Sequence, residues 1–255
     1  MDEPVVAVKP EAPAATPRRW RRRLVRVGVV LLVIAVGAGV RFERFLFRNN
    51  QGTVAAGRLY RSAQPGRELA QTANRLALKS VLNLRGGDTT DWWYANEVQV
   101  AKQHDIAFYD LPLSAGRPPS RRELITLIDV LERAPYPMLV HCKSGADRTG
   151  LAAAVYRLVI LGEPPEQAKQ AFSYDYAHIP LLGPERLHEP IDAYARWLAW
   201  RRRPHSPETF RIWAVTQYRA GPEAEAADAG NPFEPLQPGP RAEVAAATRS
   251  RPLRK

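Results

Sequence analysis

A chain of 255 residues with a formal net charge of +11 has room for one domain of ordinary size plus extensions. The charge invites a nucleic-acid reading, yet residues 51–200 carry 17 basic against 16 acidic side chains, so the excess sits in the flanks and no nucleic-acid partner is expected. One cysteine excludes an intramolecular disulfide, and five scattered histidines offer no metal-ligand spacing, so neither a metal nor another cofactor is expected.

Residues 1–23 form a polar leader in which Pro4, Pro10, Pro13 and Pro17 alternate with alanine, a composition that predicts disorder. The leader ends in a basic cluster at Arg18, Arg19, Arg21, Arg22 and Arg23. Residues 24–40 are apolar except for Arg26, and the run extends toward Phe42, Phe45, Leu46 and Phe47, so residues 24–47 read as one membrane-spanning helix. A secretory signal opens the same way, but Gly37-Ala38-Gly39 is a poor cleavage site, which favours a retained anchor. Six arginines at or before Arg26 outweigh Arg41, Arg44 and Arg48 beyond the run. The positive-inside rule then places the N-terminus in the cytoplasm and the rest of the chain on the extracytoplasmic side. Basic flanks of this kind suit anionic lipid headgroups.

A folded domain is expected over residues 53–219. Short strands are predicted near 59–60, 80–84, 106–111 and 138–141, alternating with helices over 67–78, 91–103, 120–131, 149–161, 165–172 and 185–203, which is an α/β pattern with a central sheet flanked by helices. Ser120 stands three residues before Glu123, the spacing of a capping box, and Pro164-Pro165 marks a break followed by a helix start. From about Ala220 the chain is rich in Ala, Pro and Glu and is expected to be a disordered tail over 220–255.

The chemistry concentrates between the fourth strand and the helix after it, in His141-Cys142-Lys143-Ser144-Gly145-Ala146-Asp147-Arg148-Thr149-Gly150. A strand-to-helix turn lets successive backbone N–H groups converge on an anion, and the helix adds the positive end of its dipole. That field also favours a thiolate, so the lone cysteine, Cys142, is a candidate nucleophile. Arg148, six residues on, has a planar fork suited to two phosphoryl oxygens. A lone cysteine without such surroundings would read as an inert core thiol.

The pattern H-C-x5-R-[S/T]-G, present as His141-Cys142 through Arg148-Thr149-Gly150, resembles the signature of cysteine-dependent protein tyrosine and dual-specificity phosphatases. A looser likeness extends over residues 53–200, where Gly57-Arg58-Leu59-Tyr60-Arg61-Ser62-Ala63-Gln64-Pro65 and Val81-Leu82-Asn83-Leu84-Arg85 are similar to the opening segments of bacterial members. The resemblance implies a cysteine-phosphatase-like α/β domain that hydrolyses phosphomonoesters through a phosphocysteine, preceded here by one transmembrane helix. It implies phosphate binding by Lys143, Ser144, Gly145, Ala146 and Thr149, with His141 supporting the loop. A rhodanese-like sulfurtransferase also carries a cysteine in an anion-binding loop, but the Arg148-Thr149-Gly150 ending argues against it.

Thiol attack on a phosphate monoester also needs a proton donor for the departing oxygen. Asp110, 32 residues before Cys142, stands at a separation similar to that of the general acid in many dual-specificity phosphatases, just ahead of a loop from Leu111 to Pro119. Asp147 is the rival, and the C-x4-D-R-T order resembles loops of phosphoinositide phosphatases. The substrate is expected to be a phosphorylated protein or a phosphoinositide, and the alternative from another class is a weakly active phosphate-binding module.

Overall fold

The computed structural model describes residues 18–41, 43, 48–181 and 183–228. It divides into two units, residues 1–41 and 42–255. In the first, helix α1 spans Arg18–Arg41, so the basic cluster expected in a disordered leader is helical from Arg18 onward. Its stretch Trp20–Val40 has a mean hydropathy of 2.2 and no buried residues, and is long and apolar enough to cross a membrane. The rest of the leader, and Phe42, Phe45, Leu46 and Phe47 of the anchor reading, lie outside the described residues.

The second unit is built on a mixed sheet of β1 (Gly52–Ala55), β2 (Leu59–Ser62), β3 (Ser80–Asn83), β4 (Ala107–Asp110) and β5 (Met138–His141), in the order β1-β2-β5-β3-β4. Only β1 runs antiparallel to its neighbour; β2, β5, β3 and β4 are parallel. Central β5 reads Met-Leu-Val-His and is buried along its whole length, as a parallel strand covered on both faces must be. Its alternation separates two apolar clusters. Met138 and Val140 face one that includes Leu124, Leu127, Leu151 and Val155, whereas Leu139 faces a smaller one with Leu69, Ala73, Val100 and Ile106.

The helices that cover the sheet are α2 (Leu69–Leu76), α3 (Trp92–Gln103), α4 (Arg121–Arg133), α5 (Asp147–Val159), α6 (Pro165–Ala168), α7 (Glu189–Arg201) and α8 (Pro207–Thr216). The capping box at the start of α4 forms as expected: Glu123 N–H donates to Ser120 Oγ at 3.1 Å, and Ser120 N–H donates to Glu123 Oε2 at 2.8 Å. The helix expected over 165–172 divides into α6 and a 3-10 turn at Lys169–Ala171, and the one over 185–203 into a 3-10 turn at Pro184–His188 followed by α7.

Three differences from the sequence reading stand out. Edge strand β1 is only Gly52-Thr53-Val54-Ala55, too short and too small at both ends to give a period-two signal of its own. Helix α8 lies past Pro204, where the sequence reading placed no element, yet Phe210 and Trp213 are buried in the larger cluster. The stretch read as a disordered tail begins instead with helix α9 (Pro222–Asp228), where Ala224 is buried and Ala220 N–H donates to Glu225 Oε1 at 3.1 Å. Residues 229–255 lie outside the described residues.

Candidate active site

Three parallel strands end together at the C-terminal edge of the sheet, the usual place for a site in such a fold. His141, Asn83 and Asp110 share one register row, so the last residues of β5, β3 and β4 lie side by side. The chain leaves β5 through Cys142 and re-enters regular structure at Asp147, the first residue of α5. Cys142 is 1% exposed.

What shapes the loop is the fate of its carbonyl groups. Gln64 N–H donates to the Lys143 oxygen at 3.3 Å, and Asn50 Nδ2 donates to the Ser144 oxygen at 2.8 Å. Arg61 Nη2 donates to the oxygens of Gly145 and Ala146 at 2.9 and 3.1 Å. In a trans peptide the C=O and the following N–H point in opposite directions. Four carbonyls tied toward the surrounding fold therefore turn the amides of Ser144, Gly145, Ala146 and Asp147 the other way. One result is seen directly: Gly145 N–H donates to Cys142 Sγ at 3.3 Å. Sulfur, inward amides and the N-terminus of α5 together make a cradle suited to an anion around the Cys142 thiol.

Gly145 is required for this path. Its φ is +71°, and a Cβ there would lie 2.5 Å from the backbone nitrogen of Ala63 and 2.6 Å from the oxygen of Ser62. Arg61, 2% exposed, also donates from Nη1 to the Ala171 oxygen at 2.8 Å and lies 3.8 Å from the centre of the Tyr176 ring. The loop is thus held by Asn50 before β1, Arg61 of β2 and Gln64 just after β2, and the segment after α6 fixes Arg61 in turn.

Arg148 Nη1 donates to the carbonyls of Leu84 and Leu113, at 3.2 and 3.3 Å. Those carbonyls belong to the segments leaving β3 and β4, so one nitrogen fixes the side chain across the sheet edge. The guanidinium makes no other hydrogen bond among the described residues, which leaves the Nε and Nη2 edge for a ligand. Thr149 is fully buried and its hydroxyl has no hydrogen-bond partner among the described residues. Lys143 is exposed, whereas Ser144 is partly buried.

His141 is fully buried, and its Nε2 lies 3.3 Å from Oε1 of Glu97, also fully buried. Gln64 Nε2 donates to the same carboxylate, and Arg85 Nη1 donates to Gln64 Oε1 at 3.2 Å. The guanidinium of Arg85 stacks 3.7 Å from the centre of the Trp93 ring.

The two aspartates stand in different surroundings. Asp110 receives a hydrogen bond on Oδ2 from the Tyr94 hydroxyl at 3.2 Å, and its Oδ1 is buried. Asp147 keeps 21% exposure, with Oδ1 2.7 Å from Nδ1 of His178. Asn50, Glu97 and His178 carried no signal in the sequence, because each meets the loop from a distant element. Arg61 and Gln64 lie in the family-like segment from Gly57 to Pro65, where no local pattern points to loop carbonyls.

A set of parallel strands whose C-terminal edge presents a buried cysteine, inward amides and an arginine fork defines a cysteine-dependent phosphatase. Residues 46–178 match the model of a family described as a DSP-PTPase phosphatase fused to NAD+ kinase. The chain is 32% identical over 171 residues to the dual specificity protein phosphatase TpbA of Pseudomonas aeruginosa, covering 64% of this chain and 72% of that protein. The chain belongs to this DSP-PTPase family. Among solved structures, that of Pseudomonas aeruginosa TpbA aligns with a TM-score of 0.45 at 25% identity, over 66% of this chain and 92% of the other. The core catalytic domain of the PP-IP phosphatase SIW14 from S. cerevisiae aligns with a TM-score of 0.46 at 22% identity, over 60% and 93%.

Proposed function

We propose that the protein is a membrane-anchored phosphatase of phosphotyrosine and phosphoserine or phosphothreonine residues, with its catalytic domain on the extracytoplasmic side. The observation that carries the chemistry is the outward tethering of the four loop carbonyls, which leaves the opposite face of the loop lined by N–H donors around Cys142. Cys142 attacks phosphorus and takes the phosphoryl group while the ester oxygen departs. The inward amides and the open edge of Arg148 bind the three non-bridging oxygens and follow their charge into the transition state.

Asp147 gives a proton to the departing oxygen and then takes one from the water that cleaves the phosphocysteine. The surroundings favour it over Asp110, whose carboxyl has one oxygen buried and the other bonded to Tyr94. Thr149 stands next to Arg148 with an uncommitted hydroxyl suited to the leaving thiolate. A protein substrate is supported by the name of the 32% identical relative. The anchor is supported by the helix over Trp20–Val40, and the side by the arginine imbalance across it.

The test uses the full chain in detergent against phosphopeptides and phosphoinositides, with Cys142→Ser beside it. Hydrolysis of phosphopeptides, abolished in the serine variant with ligand binding retained, is the expected result. Preference for phosphoinositides would replace the substrate assignment, and binding without turnover in the native chain would leave a phosphate-binding module. A C-terminal fusion reporter active only in the cytoplasm would overturn the topology.

A further inference from the structure

A cluster of titratable side chains lies where the segment after α6 folds back over the start of α5. His178 Nδ1 is 2.7 Å from Asp147 Oδ1, and His178 Nε2 is 2.8 Å from Nε2 of His188. His178 is 2% exposed. Phe172 packs against both imidazoles, with ring centres 5.0 and 4.2 Å away. It can do so because position 150 is glycine: a Cβ there would lie 2.8 Å from the Phe172 ring. His178 N–H donates to the Ser173 oxygen, and Asn50 Nδ2 donates to the Tyr176 oxygen, so the histidine is carried on a segment clamped to the loop it serves.

The facing nitrogens admit an arrangement in which every ring proton has an acceptor. Burial pushes the His188 imidazole down to about 4, helped by neighbouring His178 and Lys169 and opposed by Asp192 and Glu185, so at neutral pH His188 carries one ring proton. Two nitrogens facing each other at 2.8 Å need one donor and one acceptor. If His188 Nε2 donates, His178 Nε2 accepts, and the single proton of a neutral His178 lies on Nδ1, aimed at Asp147. A protonated carboxyl has one O–H and one oxygen still able to accept. With Oδ1 taken by His178, the acidic proton is left to Oδ2, and Asp147 makes no other hydrogen bond among the described residues.

We propose that His178, with its tautomer set by His188, is a positioning residue that occupies Asp147 Oδ1 and so directs the acidic proton to Oδ2 for delivery to the leaving group. The proposal rests on Asp147 being the proton donor, and the experiment separates the two. Rates are compared for phenyl phosphate, a poor leaving group, and 4-nitrophenyl phosphate, an activated one, in native protein, Asp147→Asn, His178→Ala, His178→Asn, His188→Ala and the double variant Asp147→Asn/His178→Ala.

If Asp147 is the donor, Asp147→Asn loses about 100-fold or more in kcat on phenyl phosphate and much less on the nitrophenyl ester. A flat loss in that variant removes the donor assignment itself. With a steep loss there, His178→Ala is expected to lose roughly 10- to 100-fold in kcat with the same leaving-group dependence and little change in KM. His178→Asn, whose amide N–H replaces Nδ1–H, recovers most of it. His188→Ala falls between native protein and His178→Ala, and serves if the latter does not fold. The double variant is no slower than Asp147→Asn alone. Equal losses on both esters in the histidine variants, no recovery with asparagine, or additive losses in the double variant would each overturn the proposal.

Discussion

The guanidinium of Arg61 donates to the Gly145 carbonyl at 2.9 Å from a site that is 98% shielded from solvent, and the same nitrogen reaches the next carbonyl at 3.1 Å. A residue of β2 therefore fixes the conformation of the loop after β5, its parallel neighbour in the sheet. Hydrogen bonds to a charged donor contribute about 1.5–3 kcal/mol each, and here several depend on one side chain.

Arg61→Ala is accordingly expected to lower stability by on the order of 3 kcal/mol and to reduce kcat/KM at least as strongly as loss of a transition-state donor, roughly 100-fold. Arg61→Lys restores charge without the fork and should recover stability in part and activity hardly at all. Denaturant melts alongside aryl phosphate turnover check both. Native-like kinetics in the alanine variant would show that the loop holds its shape unaided.

Gly145→Ala is expected to be as damaging from the other side of the same contact. A left-handed backbone costs a non-glycine residue about 1–2 kcal/mol, and a methyl group 2.5 Å from the Ala63 nitrogen meets backbone that cannot step aside. The variant should bind vanadate poorly and turn over little substrate, as measured by inhibition titration and steady-state rates.

Arg148→Lys separates charge from geometry. Nη1 is already committed to the carbonyls of Leu84 and Leu113, so in the proposed mechanism the phosphoryl oxygens meet the other edge of a planar group. A single ammonium cannot hold both carbonyls and also present two parallel N–H bonds. Expected is a fall in kcat/KM of about 100- to 1000-fold, with both KM and kcat affected. A change confined to stability would assign Arg148 a purely structural place.

The half-buried His188 gives stability a pH dependence with a definite sign. Its imidazole titrates near 6.5 when unfolded and about 4 when folded, so the unfolded chain binds more protons between those values. This contribution is complete above about 6.5 and is lost as pH falls toward 4. After allowance for solvent screening it is on the order of 1 kcal/mol. Thermal melts of native protein and His188→Gln should diverge over that window, the variant depending less on pH; parallel curves would refute the linkage.

Much of this architecture was legible in the sequence because its signals are local. The run Met138 to His141, the turn with Gly145 and the apolar spacing after Thr149 each announce their own structure within a few residues, and the capping box at Ser120 is read from two positions. The support of the site was not legible. Asn50 meets Ser144 across 94 residues, Arg61 meets Gly145 across 84, and His178 meets Asp147 across 31. Such pairs leave no period and no spacing. They follow only from the order of the strands, which brings β2 beside β5, and from the return of the chain after α6.

The bond from Asn50 to the Ser144 oxygen bears on where this domain starts. Asn50 precedes β1 and lies nine residues beyond Arg41, the last residue of α1. A soluble fragment cut at the first strand would keep the whole signature and every strand of the sheet, yet would release the peptide between Ser144 and Gly145. For such a fragment the useful frontier is a single carboxamide two residues ahead of any regular backbone pairing.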